Sequence, residues 1–484
     1  MSLRADVALG LIVTIILGAL VFGALGAHHT KKLTAQEYMV GGRSFGPLFL
    51  WLLLAGEIYT SFTFLGAAGW AYSKGAPALY ILCYPTVAYI ISYFLLPPIW
   101  RSAKRKNLLT GPDFLESHYR SKALGVLVAL IGFFFLVPYV TLQMRGIEIL
   151  LNIAGYASFS SQVAVGLAFG LIAVFVYVGG LRGIAWAAII KDSLVLVGVI
   201  FAGIVLPMHF FGSPTHLMAR LLQAHPGWLT LSHGSTEFGT TWFISTVLLT
   251  SVGFYMWPDS MAAIYSAKSE DTLRRNAMYL PVYQLMLLLI YFAGFTALLL
   301  MPGLTGAAAD QSFMLVVQKY YPPWVLGLLA GAGCLAGLIP ASAQVLGAAS
   351  IFTKNILGDW LGFVKSDHAR THATRIMVLV VSFLALLYWL FTQASLVGLN
   401  LIAYEGVAQF FPGVVFALVW RRASAAGVIA GIASGLIVLG YLAATHRETI
   451  GGIAVGCFAL AVNVLVCVGV SLFSRTLRPV EIAD

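Results

Sequence analysis

The chain has 484 residues, of which 60% are hydrophobic and only 10% charged. A soluble chain normally carries about a quarter charged residues, so a soluble globular protein is excluded. The formal charge of +10 is spread over the loops between apolar segments, so it gives no nucleic-acid-binding surface either.

Windows of about 20 apolar residues, the length that crosses a bilayer core, recur along the sequence. They predict thirteen spans, near residues 4–26, 47–72, 77–99, 123–153, 160–178, 187–208, 241–265, 278–301, 324–353, 374–396, 398–420, 424–444 and 450–474. The first span is too long for a signal peptide and lacks a small-residue cleavage site, so it is expected to stay as a helix. Of the 28 Lys and Arg, 21 fall in one alternating set of loops and 5 in the other. The positive-inside rule then places the N-terminus outside and the C-terminus inside. Lipid bilayer is the expected surrounding.

The second span contains LLLAGEIYTSFTFLGAAGW, with Glu57 flanked by apolar sequence on both sides. A carboxylate there is costly and is expected to be neutral, paired or part of a pathway. Gly56 precedes the β-branched and polar run Ile58-Tyr59-Thr60-Ser61-Phe62-Thr63, poor helix chemistry for mid-span, and a break is predicted. A helix N-terminus at such a break favours an anion, which makes Thr60, Ser61 and Thr63 candidate substrate ligands. The fourth span, YVTLQMRGIEILL, carries Gln143 and Arg145 into the membrane. Arg145 either binds a carboxylate bidentately or pairs with Glu148 three residues on.

The seventh span, TSVGFYMWPDSMAAIYS, predicts a second break between Gly253 and Pro258, with Tyr255 and Trp257 as candidate gates. Interruptions five spans apart, on helices of opposite direction, are what an inverted repeat of five plus five helices gives. Cys83, Cys334, Cys457 and Cys467 fall in apolar spans and read as packing residues. The histidines lack ligand spacing, and the sequence offers no P-loop, no nucleophile-and-base pair and no cofactor motif. No metal, no cofactor and no enzymatic activity are expected.

Five stretches in order, EYMVGGRSFG, FLGAAGWAYSKG, YVGGLRGIAW, AASIFTKNIL and FFPGVVFALVWRRASAAGVIAG, resemble the sodium:solute symporter family. The resemblance covers nearly the whole chain. It implies an all-α membrane protein of about 13 helices with a LeuT-type core, whose first and sixth core helices are broken. The expected organisation is an extra helix and link over 1–44, a first repeat over 45–208, and an external loop over 209–240. A second repeat follows over 241–420, then two additional helices and a tail over 421–484. GEIYTSFTFLG, GGLRG…KDSLV and FFPGVVFALV look most like the bacterial monocarboxylate permeases, which implies the bacterial inner membrane and a small monocarboxylate substrate. A related branch is fused to sensor kinases. This chain ends at Asp484, shortly after its last span, so no fused kinase is expected.

By that resemblance Gln143 and Gln409 line the cavity. The sodium site would use backbone carbonyls at Gly56 and Tyr59 and positions Ala336, Ile339 and Pro340 of the eighth core helix. Here the expected serines are Ile339 and Pro340, although Ser342 is near. The usual Trp-Thr-Asp of the fifth core helix reads Trp186-Ala187-Ala188, and Lys191 stands at a glutamine position. A fixed ammonium disfavours Na⁺ at low dielectric. The expectation is therefore a proton-coupled symporter of pyruvate, lactate, acetate or propionate type, with Lys191 and Glu57 trading the proton. The alternative for Lys191 is a side chain reaching water beside Asp192; for Glu57 it is a cap on freed amides. Sodium-coupled uptake of histidine or alanine is the second reading, and a nutrient sensor built on the transporter fold is the third.

Overall fold

The computed structural model describes residues 3–27, 34–56, 58–156, 160–233, 238–392 and 394–474. Ten helices among them are long and apolar enough to cross a membrane. One of the ten, Gln162–Phe211, holds two spans, and two further spans are divided into shorter pieces. Thirteen spans result, as the apolar windows predict. They comprise an N-terminal helix (Leu3–Ala27), ten core helices and a final pair (Ala425–Ala444 and Val455–Phe473).

Core helix 1 runs over Pro47–Gly56 and resumes as a π-helical turn, Phe62–Gly66, followed by Ala67–Lys74. Core helix 6 is Thr240–Gly253 and then Pro258–Ser266. Pro258 dictates the second break: it lacks an N–H, and it forces the preceding residue out of the helical region. Trp257 accordingly has φ −70° and ψ 144°. The two broken helices are joined at their basic-loop ends, where Phe45 N donates to Ser266 O and Lys268 N to Phe45 O, both at 2.9 Å.

Core helices 2 and 3 are Tyr80–Arg105 and Lys122–Ala154, with a short helix, Gly111–Tyr119, between them. Core helices 4 and 5 are not separated by a loop. They form Ser161–Ile200, bent at Gly180 (φ 52°, ψ −160°), and core helix 5 continues through Phe211. Only glycine adopts that backbone readily, and a Cβ there would collide with Tyr38. Core helix 7 is Glu270–Gln284 plus Leu287–Leu300, and core helix 8 is Pro323–Ile351 with a π-helical end, Phe352–Trp360. Core helices 9 and 10 are Asp367–Phe391 and Leu396–Val419, the latter tightened to a 3₁₀ turn at Ala408–Phe410.

Small residues set the helix approaches, as expected where lipid removes the hydrophobic drive between helices. Gly327 of core helix 8 lies against the backbone of Ala8, and Gly331 against Ile15, so the N-terminal helix packs tightly on core helix 8. In the final pair, Gly427 and Gly431 meet Ser471, Asn463 and Cys467. The four cysteines are free thiols.

Candidate functional site

The break in core helix 1 is held by its own side chains. Thr63 Oγ1 donates to Ile58 O at 2.6 Å and accepts from Thr60 N at 2.9 Å, while Thr60 Oγ1 accepts from Phe62 N at 3.1 Å. Thr60 and Thr63, expected as substrate ligands, therefore satisfy freed backbone groups. Ser61 differs. Its N–H donates to Gln143 Oε1 at 3.2 Å, but Ser61 Oγ and Gln143 Nε2 have no partner although both residues are fully buried. Ser61 Oγ fits between core helices 3 and 8 because Gly146 and Gly337 face it; a Cβ at either would strike it.

Core helix 3 carries this site across to the second break. Tyr139 lies four residues before Gln143, on the same helix face, and stacks on Trp257 with ring centroids 4.5 Å apart. Tyr404 of core helix 10 meets Trp257 edge-on at 5.3 Å and Tyr84 of core helix 2 at 5.7 Å. An aromatic wall thus closes the space between the two breaks. Trp257, the candidate gate, belongs to it. Tyr255 is also buried there, in edge contact with Phe254 at 4.8 Å. On the basic-loop side of Met256 and Pro258 is a small apolar cavity of about 20 Å³, bounded by Gly111, Pro112, Leu115 and Phe410.

Lys191 occupies the other side of the first break. Its side chain has 0% exposure, and its Nζ lies 3.1 Å from the position a Cβ on Gly56 would take. It does not reach water. Its partner is Asp192, with Nζ to Oδ1 2.8 Å and Asp192 5% exposed. Tyr59 O–H donates to the Tyr283 carbonyl at 2.8 Å, and the two rings lie 4.4 Å apart beside this pair. Glu57 lies outside the described residues.

Ala336, Ile339 and Pro340 are all buried in core helix 8. Pro340 has no N–H to give the Ala336 carbonyl, so that oxygen loses its usual helical donor, but Ile339 presents only hydrocarbon. Ser342, the nearby hydroxyl, donates to Leu338 O at 2.7 Å within its own helix.

Two residues stand away from this centre. Arg145 Nη1 is 2.9 Å from Glu148 Oε2, which also accepts from Trp389 Nε1 at 2.8 Å. The ion pair, rather than a free guanidinium, is what the structure contains. Gln409 was expected in the cavity but is turned to the final helix pair: Asn463 Nδ2 donates to its backbone and side-chain oxygens at 2.8 and 3.1 Å. The 3₁₀ turn at Ala408–Phe410 shifts its direction away from that expected of a regular helix. Tyr84, Tyr139 and Tyr404 were missed by the sequence reading. The i, i+4 spacing of Tyr139 and Gln143 was the available signal.

The profile of the sodium:solute symporter family matches residues 38–435. An uncharacterized symporter of Bacillus subtilis, YhjB, is 36% identical over 94% of this chain and 95% of its own length. A monocarboxylate transport permease protein of Rhizobium johnstonii is 28% identical, covering 92% of each chain. The solved structure of a Na⁺-coupled sialic acid symporter in a substrate-bound outward-open state superposes with a TM-score of 0.84 over 98% of both chains, at 15% identity. That likeness establishes the fold, the LeuT-type arrangement with broken first and sixth core helices. These relationships make the chain a multi-pass transporter rather than an enzyme.

Proposed function

We propose that this chain, which belongs to the sodium:solute symporter family, is a secondary active symporter importing a small monocarboxylate together with protons. The observation that carries the coupling ion is the fully buried Lys191 ammonium against Gly56. A positive charge fixed at the first break repels Na⁺ from the same place. The ammonium is stable there only while a carboxylate answers it, because a lone buried charge is very costly. Asp192 does so at 2.8 Å, and Glu57 follows Gly56 in the sequence. Alternating access that carries Lys191 away from Gly56 changes the charge balance of the first break, and the coupled proton answers that change.

The substrate class follows from the unpartnered groups. Ser61 Oγ–H and Gln143 Nε2–H are buried donors without acceptors, and a carboxylate offers acceptors and no donors. The wall of Tyr139, Trp257 and Tyr404 gives an apolar surface to a short hydrocarbon tail. The monocarboxylate permease among the relatives points the same way.

Proteoliposomes test this directly. Uptake of pyruvate, lactate, acetate or propionate is expected to follow an inward proton gradient, and Lys191→Met to abolish accumulation while retaining part of the exchange. Glu57→Gln is expected to do the same. Accumulation that needs Na⁺ and ignores pH would refute the coupling. Substrate binding without accumulation under any gradient would identify a sensor.

A further inference from the structure

We propose that Asp259 is the anionic ligand of a site for a hard monovalent cation, between the second half of core helix 6 and core helix 8. Asp259 follows Pro258 at the start of the nine-residue segment Pro258–Ser266 and is 4% exposed. Its Oδ1 has no hydrogen-bond partner, and among the described residues no cationic side chain pairs with it. The amides of Asp259 and Ser260 face the carboxylate, which is the ordinary role of an acid in the first turn of a helix. That role leaves one oxygen unused.

Core helix 8 supplies what faces it. A Cβ on Gly347 would lie 2.8 Å from Asp259 N and 3.1 Å from its Cβ, so the two backbones touch at this glycine. Gln344 and Ser350 lie three residues to either side of Gly347 and share its face. Both are buried, at 1% and 4% exposure, and both amide atoms of Gln344 and the hydroxyl of Ser350 lack partners. Buried polar groups left unpaired are rare and each is costly. Here two such side chains flank the glycine at which core helix 8 touches Asp259, whose own Oδ1 is also unpaired.

A carboxylate oxygen, an amide oxygen and a hydroxyl form the all-oxygen donor set that suits a hard cation. One negative charge matches one positive charge, whereas a divalent ion would leave an excess inside the membrane. The site is at the second break, whereas Lys191 of core helix 5 faces the first, and it uses different residues of core helix 8 from Ile339 and Pro340. It therefore stands independently of the proton-coupling reading, and a cation bound there would tie core helix 6 to core helix 8 within the second repeat, at the second break.

The test is equilibrium binding of ²²Na⁺ to purified, monodisperse protein, displaced by unlabelled NaCl with choline chloride holding ionic strength constant. Wild-type protein is expected to bind saturably, Asp259→Asn to lose binding, and Lys191→Met to retain it. Gln344→Ala is expected to weaken Na⁺ binding roughly three- to tenfold, and it decides the matter if Asp259→Asn does not fold. The proposal is overturned by absence of saturable binding to folded wild type, by an Asp259→Asn protein that binds normally, or by an unchanged affinity in Gln344→Ala. Loss of binding in folded Lys191→Met protein would show that the ion depends on the first break and overturn the proposal equally.

Discussion

Lys354 Nζ lies 2.6 Å from Asp113 Oδ1, joining the short helix after core helix 2 to the π-helical end of core helix 8. The same oxygen accepts from Asn355 Nδ2 at 2.6 Å, while Asp113 Oδ2 accepts from the Leu109 and Thr110 amides at 2.9 and 3.1 Å. Lys354 also reaches Asp359 at 2.6 Å. The first repeat is thereby pinned to the second at the basic-loop end. Removing Asp113 leaves Lys354 with Asp359 alone and takes the acceptor from Asn355 and from the Leu109 and Thr110 amides, which typically costs about 1–3 kcal/mol. Asp113→Ala is expected to lower the melting temperature and to raise thiol-reagent access to a cysteine placed at Gly111 in the apolar cavity. Unchanged melting and access would show that the pair is not a closure. Burial alone pushes the Asp113 carboxyl up, but Lys354 and the hydrogen bonds bring it below the usual range. Its contribution is present above the ordinary carboxylate value and is lost only as pH falls below it. Between pH 5 and 8 this contact is expected to be constant.

Asp310 behaves in the opposite sense. It lies in the short segment before core helix 8, is 2% exposed, and its Oδ2 accepts from Leu396 N at 2.9 Å. Burial raises its pKa from 3.8 to about 7, offset in part by the Leu396 amide and Arg145. The folded chain then binds more protons than the unfolded one between about pH 4 and 7, so Asp310 makes stability fall as pH rises through that window. His118, held down at about 4 by burial and Lys106, acts with the other sign, so the informative quantity is the difference between wild type and Asp310→Asn. Wild-type melting is expected to lose ground to the variant as pH rises from 4.5 to 7.5. A constant difference would remove Asp310 from the pH response.

Gln143→Leu removes the unpartnered amide and its bond to Ser61 N while keeping most of the volume. Loss of a charge-assisted bond of about 1.5–3 kcal/mol is expected to weaken monocarboxylate binding by tenfold or more, as read in counterflow. Ser61→Ala is expected to act in the same direction and Thr60→Ala to act mainly on stability. Equal effects of Ser61→Ala and Thr60→Ala on affinity would contradict the division between the two hydroxyls.

Arg145→Ala is expected to lower stability, because Glu148 stays buried beside Trp389 without its cation. Substrate affinity in the fraction that remains folded should be little changed. A selective loss of affinity with normal melting would restore Arg145 as a substrate ligand.

The architecture was readable in the sequence because its determinants are local. Gly56 ahead of a β-branched and polar run, and Pro258 five residues after Gly253, mark the two breaks in the sequence itself, and apolar length fixes the rest. The missing loop between core helices 4 and 5 was not readable, since it depends on one φ at Gly180. Lys191 and Ser61 were singled out as residue types out of place. Their surroundings came only from packing: Lys191 is sealed from water by neighbours far away in sequence, and Thr60 differs from Ser61 only in which way each hydroxyl points. Gln409 was misplaced because a resemblance fixes position along a helix, whereas a 3₁₀ turn changes azimuth. Asp259 stands beside Pro258 in the sequence, but the face of core helix 8 opposite it was invisible in one dimension.

The bend at Gly180 has a mechanical consequence. From it, core helix 5 runs without interruption through Lys191, eleven residues and about 16 Å further along the axis. With Gly180 as fulcrum that segment is a lever arm, and tilting it by about 10° carries the ammonium sideways by about 3 Å. A displacement of that size takes Lys191, and Asp192 with it, out of contact with Gly56, so a small rigid rotation of one helix suffices to withdraw the ion pair from the first break without unwinding any of it.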